Sequence, residues 1–455
     1  MMRLAEIALW THGRLLGSDA AVSGIAIDTR KLALGDLFVA IRGDHVDGHD
    51  FLADAAARGA VAALVTRKVE TALPQVLVDD TQLALGDLAS AVRAQTDVRV
   101  IGITGSNGKT TVKTLAASIL SRHGRTHVNA GNYNNELGLP LTLLAMPADT
   151  RFAVLEMGAG KPGDIAYLAA IARPDIGLVN TIASAHLERM GSLEGVAETK
   201  GALYQALPAD GVAIINADDA FARFFTGLAG SRRVLRFGLE HAADVGADIL
   251  EQRVDGSRFV LSTPVGDAEV ALPLAGRHNI ANALAATAIA LALDVSLATI
   301  VEGLEQVPGV AGRLRSETLT SGAVLIDDSY NANPGSVNAA IDTLVLAAGE
   351  RWLVLGDMAE LGQNARELHA GIGRHAQAQG IQRLFAVGPL SAAAVDAFGA
   401  GGEHHTDKAS LIASLKQQLH GTVTCLVKGS RSAGMEQVVA ALKDQRQGEG
   451  ASDAA

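Results

Sequence analysis

The sequence predicts an α/β protein of three domains. These are a small N-terminal α/β domain (residues 1–96), a central phosphate-loop-type parallel-sheet domain (97–312) and a C-terminal Rossmann-like domain (313–445), followed by a disordered tail (446–455). Three observations predict this. The chain has 455 residues, and domains run about 100–200 residues each. Hydrophobic residues make up 48% and charged residues 19%, enough apolar material for packed cores. Short buried strands alternate with helical stretches, the pattern of parallel sheets covered by helices.

In the first domain Asp36–Ile41 reads as a buried strand. A polar, turn-rich loop, Arg42–His49, follows it. Phe51–Arg58 reads as a helix stopped by Gly59, Val61–Val65 as a strand and Gln82–Thr96 as a helix leading out. The central domain opens on the strand Val98–Thr104, a Gly-rich turn and a helix from Lys109 to about Arg122. Further strands are expected at Phe152–Leu155, Ile176–Asn180 and Val212–Asn216, with helices between them. Asp244–Leu272 alternates apolar and polar residues and predicts a small antiparallel excursion. An Ala-rich helix around Asn279–Leu293 closes the domain. In the third domain strands fall at Ala323–Ile326, Trp352–Leu355, Leu384–Val387 and Cys425–Val427. The polar tail from Gln445 to Ala455 is expected to be disordered.

Composition excludes several functions. The chain carries 38 basic and 49 acidic residues, a net charge of −11. General electrostatics therefore argue against nucleic acid, and only 4% aromatics argue against base-stacking platforms. Anionic small molecules can still bind through helix N-termini, a few cations or metal ions. The single cysteine, Cys425, has no disulfide partner, which fits a cytoplasmic protein. No signal peptide is read at the N-terminus. The most apolar run, Ala283–Leu293, is 11 residues long, against the ~20 a membrane span needs.

Gly102–Thr111 lies between a predicted strand and a predicted helix, the setting of a phosphate loop. Within it Gly105, Ser106, Asn107 and Gly108 let backbone amides turn toward phosphate oxygens at a helix N-terminus. Lys109 places a cation near the β/γ-phosphates, and Thr110 and Thr111 supply hydroxyls, that of Thr110 for Mg²⁺. The loop departs from the strict Walker pattern, because Ile103 stands where its first glycine is required.

This loop and the stretches after it resemble the ATP-dependent Mur ligase family, which also includes folylpolyglutamate synthases. The resemblance spans nearly the whole chain. It is carried by Thr104–Thr111, Asn132–Gly138, Glu156–Gly158, His186–Lys200, Gly276–Asn282, Pro308–Arg313, Asp327–Pro334, Leu355–Gly362 and Lys428–Arg431. It implies an ATP-dependent amide ligase that adds D-alanyl-D-alanine to UDP-N-acetylmuramoyl-tripeptide (UDP-MurNAc-tripeptide) in peptidoglycan precursor synthesis. The acyl-phosphate route, a monomer, and no stable membrane insertion or nucleic acid come with that expectation. The sibling ligase that adds a single amino acid carries an Asp-Asn-Pro-Arg string, which does not occur here. A guanine-nucleotide switch would carry an Asn-Lys-x-Asp string, which is also absent, and two nucleotide-facing α/β domains joined by a hinge make a poor scaffold.

The resemblance also implies roles for particular residues. Glu156, His186 and Thr110 would hold Mg²⁺, two ions in all, together with a carbamylated Lys200. Read bare, Glu156 suits a helix cap or a pair with a surface lysine, His186 a surface or core hydrogen-bonder and Lys200 a solvated side chain. Carbamylation requires a neutral amine, favoured by desolvation, and gives oxygen donors that a hard cation prefers. Asn279 and Asn282 are placed near adenine, whose edge an amide matches, although both also suit the start of a helix. Arg313 is expected at the hinge into the third domain, reaching an ATP phosphate. Asp328 is expected on the ribose, and Tyr330, Asn331 and Asn333 on the nucleotide or the incoming amine. Asp28, Thr29, Arg30, Asp47, Gly48 and His49 are expected to serve the nucleotide-sugar, with Asn132 and Asn135 also facing that substrate. No residue is nominated as general base.

Overall fold

The computed structural model describes residues 2–183, 187–309 and 312–444. The expected disordered tail lies outside the described residues. Near the N-terminus a five-stranded sheet runs in the order Arg14–Leu16, Gln75–Leu77, Ala62–Val65, Asp36–Val39 and Gly24–Ala26. It is parallel except at Arg14–Leu16. Leu37, Val39, Leu64 and Val76 pack there against Leu4, Ile7, Leu85 and Leu88 of two covering helices. The helix Thr81–Arg93 begins on Asp80, whose carboxylate accepts the Gln82 and Leu83 amides. Its far face packs against the helix Asp164–Ala172 of the next unit.

The central sheet has six parallel strands in the order Arg233–Phe237, Val212–Asn216, Ile176–Val179, Arg99–Thr104, Phe152–Glu156 and Thr126–Val128. Side-chain alternation divides each strand between two cores. Ile101 and Ile103 face the helices Lys109–Leu120 and Arg277–Leu291 through Val112, Ile119 and Ile280. Val100 faces Asp164–Ala172 through Leu168 on the other side. The Ala-rich helix is buried along most of its length, from Ile280 through Ala290. The antiparallel excursion is a three-stranded sheet, Gly246–Arg253, Gly256–Thr263 and Gly266–Leu272. Val254 at one of its turns packs against the core of the third unit.

The third sheet also has six strands, Arg315–Thr318, Val324–Asp328, Val423–Lys428, Glu350–Gly356, Arg383–Val387 and Gly402–His405 in spatial order. Only the edge strand Arg315–Thr318 is antiparallel. The central sheet thus ends at Thr104, Glu156 and Asn216, and the third at Asp328 and Lys428. Parallel α/β sheets bind ligands at these carboxyl edges, and groups from both edges line shared cavities. No helix among the described residues is long and apolar enough to cross a membrane.

Candidate functional site

The strand Arg99–Thr104 runs into Gly105–Gly108 and then the helix Lys109–Leu120. Gly105 has φ +144° and Gly108 φ +80°, conformations that favour glycine. A side chain at 108 would also run into the amides of Asn180 and Asn282. Lys109 Nζ donates to the Gly105 carbonyl at 2.7 Å. Burial draws the Lys109 pKa down; Glu156 opposes this and Arg313 adds to it.

Thr110 Oγ1 donates to Glu156 Oε2 at 2.9 Å, and Asn134 Nδ2 donates to Oε1 at 2.8 Å. Lys113 Nζ lies 3.5 Å from Oε2. Burial by itself would raise the Glu156 pKa, but Lys109, Lys113, Asn134 and Thr110 together hold it below its ordinary value. Asn129 fixes the backbone here, accepting from the Glu156 amide at 2.7 Å and donating to its carbonyl at 2.9 Å. Thr110 and Glu156 present hard oxygen donors on a cavity wall, and that chemistry fits Mg²⁺. No group of three His, Cys, Asp or Glu among the described residues can hold a metal alone. An ion here would complete its shell with phosphate and water oxygens.

His186 lies outside the described residues. Lys200, on the helix Leu193–Ala206, is 1% exposed, so the bare reading of a solvated lysine is wrong. Its pKa is drawn down to about 7, by burial first and by Lys109 second, against Asp164. Among the described residues Lys200 is not on the wall of either cavity.

Two cavities flank the phosphate loop. The larger, about 510 Å³, is lined by Lys109, Thr110, Glu156, Arg313, Tyr330 and Asn331, and it also includes Asn132, Asn135 and Asn333. The smaller, about 270 Å³, is lined by Asn279, Asn282, His278, Asp328 and Lys428. Asn107, Gly108, Arg313 and Ser336 border both. In the smaller cavity an amide chain runs from Asn180 Nδ2 to Asn282 Oδ1, and from Asn282 Nδ2 to Asn279 Oδ1, at 2.9 and 3.1 Å. Asp328 pairs with buried Lys428 at 2.5 Å. Burial lowers the His278 pKa to about 4, partly offset by Asp328. The guanidiniums of Arg313 and Arg431 lie over the Tyr330 ring, 4.5 and 5.7 Å from its centroid.

Asn333 caps the helix Pro334–Leu344 by accepting from the Ser336 amide at 2.9 Å. Its Nδ2 also donates to Asn107 Oδ1 of the phosphate loop at 2.7 Å. One side chain therefore starts a helix of the third unit and ties that unit to the phosphate loop.

In the first unit the expected nucleotide-sugar residues have internal partners. His49 is 3% exposed; its Nδ1 lies 2.6 Å from Asp47 Oδ1, and its Nε2 accepts the Thr66 amide at 2.9 Å. Both ring nitrogens are used internally, so His49 organises the loop. Gly48 packs against the backbone, where a Cβ would lie 2.7 Å from the Ile41 nitrogen and oxygen. Asp47, held low by the His49 amide and Arg67, caps the same turn. Arg30 forks onto Asp28 at 2.9 and 2.8 Å and stays exposed, while the Asp28 pKa falls to about 2. Thr29 is buried. None of these six residues lines either cavity. A polar contact to the cavity's rim comes from Lys31, whose Nζ donates to Tyr133 Oη at 2.6 Å, inside the Asn132–Gly138 loop.

Sequence reading missed Lys31, Lys113, Asn129, Asn134, Asn180, His278 and Lys428 as site residues. Lys113 had a usable signal, standing one helical turn after Lys109 on the same face. Asn134, His278 and Lys428 sit inside stretches that carried the family resemblance. Asn129 and Asn180 lie at strand ends, with nothing local to mark them.

Comparison with known proteins gives consistent matches along the chain. Residues 21–93 match the profile "Mur ligase family, catalytic domain", 103–290 "Mur ligase middle domain" and 312–431 "Mur ligase, glutamate ligase domain". The UDP-N-acetylmuramoyl-tripeptide--D-alanyl-D-alanine ligase of Escherichia coli K12 is 46% identical over 97% of this chain and 98% of its own length. A crystal structure of MurF from Acinetobacter baumannii superposes with TM-score 0.91 at 36% identity, covering 97% of this chain and 98% of that one. MurF ligase from Thermotoga maritima in complex with ADP gives TM-score 0.83 at 26% identity, over 93% and 97%.

Proposed function

The chain belongs to the Mur ligase family, and on that premise we propose that it joins D-alanyl-D-alanine to UDP-MurNAc-tripeptide, converting ATP to ADP and phosphate. One observation carries this reading. The larger cavity gathers the phosphate-loop cation Lys109, the oxygens of Thr110 and Glu156, and Arg313 from the hinge, beside a second cavity bordered by Asn279, Asn282 and Asp328. The smaller chamber suits a nucleoside and the larger a triphosphate end, a carboxylate and an amine.

The difficult step is the approach of the tripeptide carboxylate to the γ-phosphorus, because both are anionic. Lys109 and Arg313 offset that repulsion and stabilise the charge of the transferring phosphoryl group. The product is an acyl phosphate, which the neutral amine of D-alanyl-D-alanine attacks. The tetrahedral intermediate then collapses to the amide and releases phosphate. Asn107 and Asn333 hold the phosphate loop against the third unit, so the reacting groups meet in one orientation. Mg²⁺ bound at Thr110 and Glu156 would supply further neutralisation of phosphate charge. The buried amine of Lys200, with its pKa near 7, has the neutral fraction that carbamylation requires. On this reading the chain works as a monomer in the cytoplasm; its one cysteine, Cys425, is buried and free, which suits a reducing compartment.

The test is phosphate release with ATP and UDP-MurNAc-tripeptide, adding either D-alanyl-D-alanine or single D- or L-amino acids. Release that depends on the dipeptide is expected. Release with single amino acids or with no acceptor would overturn the reading.

A further inference from the structure

Building on the ligase reading above, we propose that Arg431 determines acceptor specificity by binding the C-terminal carboxylate of the incoming dipeptide. The acceptor reacts through a neutral amine, so its carboxylate is the charge by which a site can recognise it. Among the described residues five cations line the larger cavity: Lys109, Lys161, Arg189, Arg313 and Arg431. Lys109 and Arg313 face the phosphates in that reading. Lys161 and Arg189 belong to the central unit, as does the Asn132–Gly138 loop that meets the first unit through Lys31 and Tyr133. Arg431 comes from the third unit, which leaves it to the substrate that does not enter with the nucleotide-sugar.

Its backbone is built into a fixed loop. The Ser430 amide and hydroxyl both donate to the Asp357 carbonyl, at 3.0 and 2.6 Å. The Arg431 amide donates to Asn331 Oδ1 at 3.3 Å, and Lys408 Nζ donates to the Ala433 carbonyl at 2.9 Å. The guanidinium is not committed to the same degree. Its carboxylate contact among the described residues is one 3.5 Å approach to Glu436, with the two side chains 67% and 46% exposed. A guanidinium has five donors in a fork that matches a carboxylate, so most of its capacity is unspent and directed by the Tyr330 ring.

Arg313 and Arg431 stand 4.5 and 5.7 Å from the Tyr330 centroid, so their guanidinium carbons lie within about 10 Å of each other. An extended dipeptide spans up to ~7 Å. With its carboxylate on Arg431, its amine reaches toward the acyl phosphate that Arg313 neutralises.

The test uses the full chain, D-alanyl-D-alanine, and the same dipeptide capped as its C-terminal amide. The unsubstituted enzyme should prefer the acid over the amide by ~10- to 100-fold in kcat/KM, the range of a charge-assisted pair. Arg431→Gln should raise KM for the dipeptide by a similar factor, leave KM for ATP within about twofold, and bring the acid-to-amide ratio close to one. Arg431→Lys should restore part of that ratio, as a point charge without the fork. An unchanged ratio in Arg431→Gln, or a rise in KM for ATP in its place, would overturn the proposal. A structural role would lower kcat for both acceptors alike and keep the ratio, which also overturns it. Failure of the ligase reading is distinguishable, because the unsubstituted enzyme would then release no phosphate in response to either acceptor.

Discussion

Replacing Asp328 by Ala should destabilise the ligand-free protein far more than removing one surface charge. Lys428 and Asp328 have side chains 2% and 9% exposed, and their contact is 2.5 Å. Beyond it, Lys428 Nζ reaches the Asn331 carbonyl at 3.0 Å, and no other carboxylate among the described residues pairs with it. Asp328→Ala leaves a buried ammonium with one neutral acceptor, a loss of ~3–5 kcal/mol. For a unit of about 130 residues this lowers the unfolding temperature by roughly 10–20 °C. Scanning calorimetry without ligands reads this directly. The double variant Asp328→Ala/Lys428→Met should recover most of the loss, because it removes the orphaned charge. The pH dependence follows from the lysine. Burial already holds the Lys428 pKa below its ordinary 10.5, while Asp328 pulls it up. Without Asp328 the folded-state pKa falls further, so the unfolded chain binds more protons than the folded one and stability rises with pH. The penalty should therefore shrink as pH climbs toward 10.5. A loss under about 1 kcal/mol, or a double variant as unstable as the single one, would refute the reasoning.

Lys109→Ala should abolish acceptor-dependent phosphate release, because the phosphate loop loses its cation; normal turnover would remove the phosphate-loop assignment. Lys200→Ala should be inactive and partly rescued by a small carboxylate, and ¹³CO₂ should give the unsubstituted protein a carbamate carbon signal that the variant lacks. Full activity without rescue, or no such signal, would remove the carbamate. Because the Lys200 pKa is about 7 in the folded chain against 10.5 otherwise, the unmodified protein should gain stability as pH rises across that window, and Lys200→Met should flatten the gain in a thermal-shift series. Asn333→Ala removes a helix cap worth ~1 kcal/mol as well as the contact to Asn107. Small-angle scattering should then show a larger radius of gyration in the absence of ligand, and an unchanged radius would deny that contact a role in docking.

Much of the fold was legible because its signals are local. The strand, Gly-rich turn and helix around Lys109 occupy neighbouring residues, and their pattern needs no partner to be read. The alternating strand–helix pattern gave the two larger sheets for the same reason, and the antiparallel excursion showed as a change of period near Asp244–Leu272. The first unit was less legible. Its five strands are short, and two of them, Arg14–Leu16 and Gly24–Ala26, carry no distinctive pattern.

What the sequence by itself determined was which segments could bind phosphate and where apolar faces lie, since both follow from residue type and period. The tertiary structure decided which polar groups became partners. Asp328 and Lys428 lie 100 residues apart, and Asn107 and Asn333 lie 226 apart, separations at which spacing carries no information. Burial was decided in the same way. His49 reads as a loop residue and is enclosed with both nitrogens satisfied, and Lys200 reads as a solvated lysine and is buried. A side chain's charge state and availability depend on what packs over it, and that is fixed only when distant segments close together.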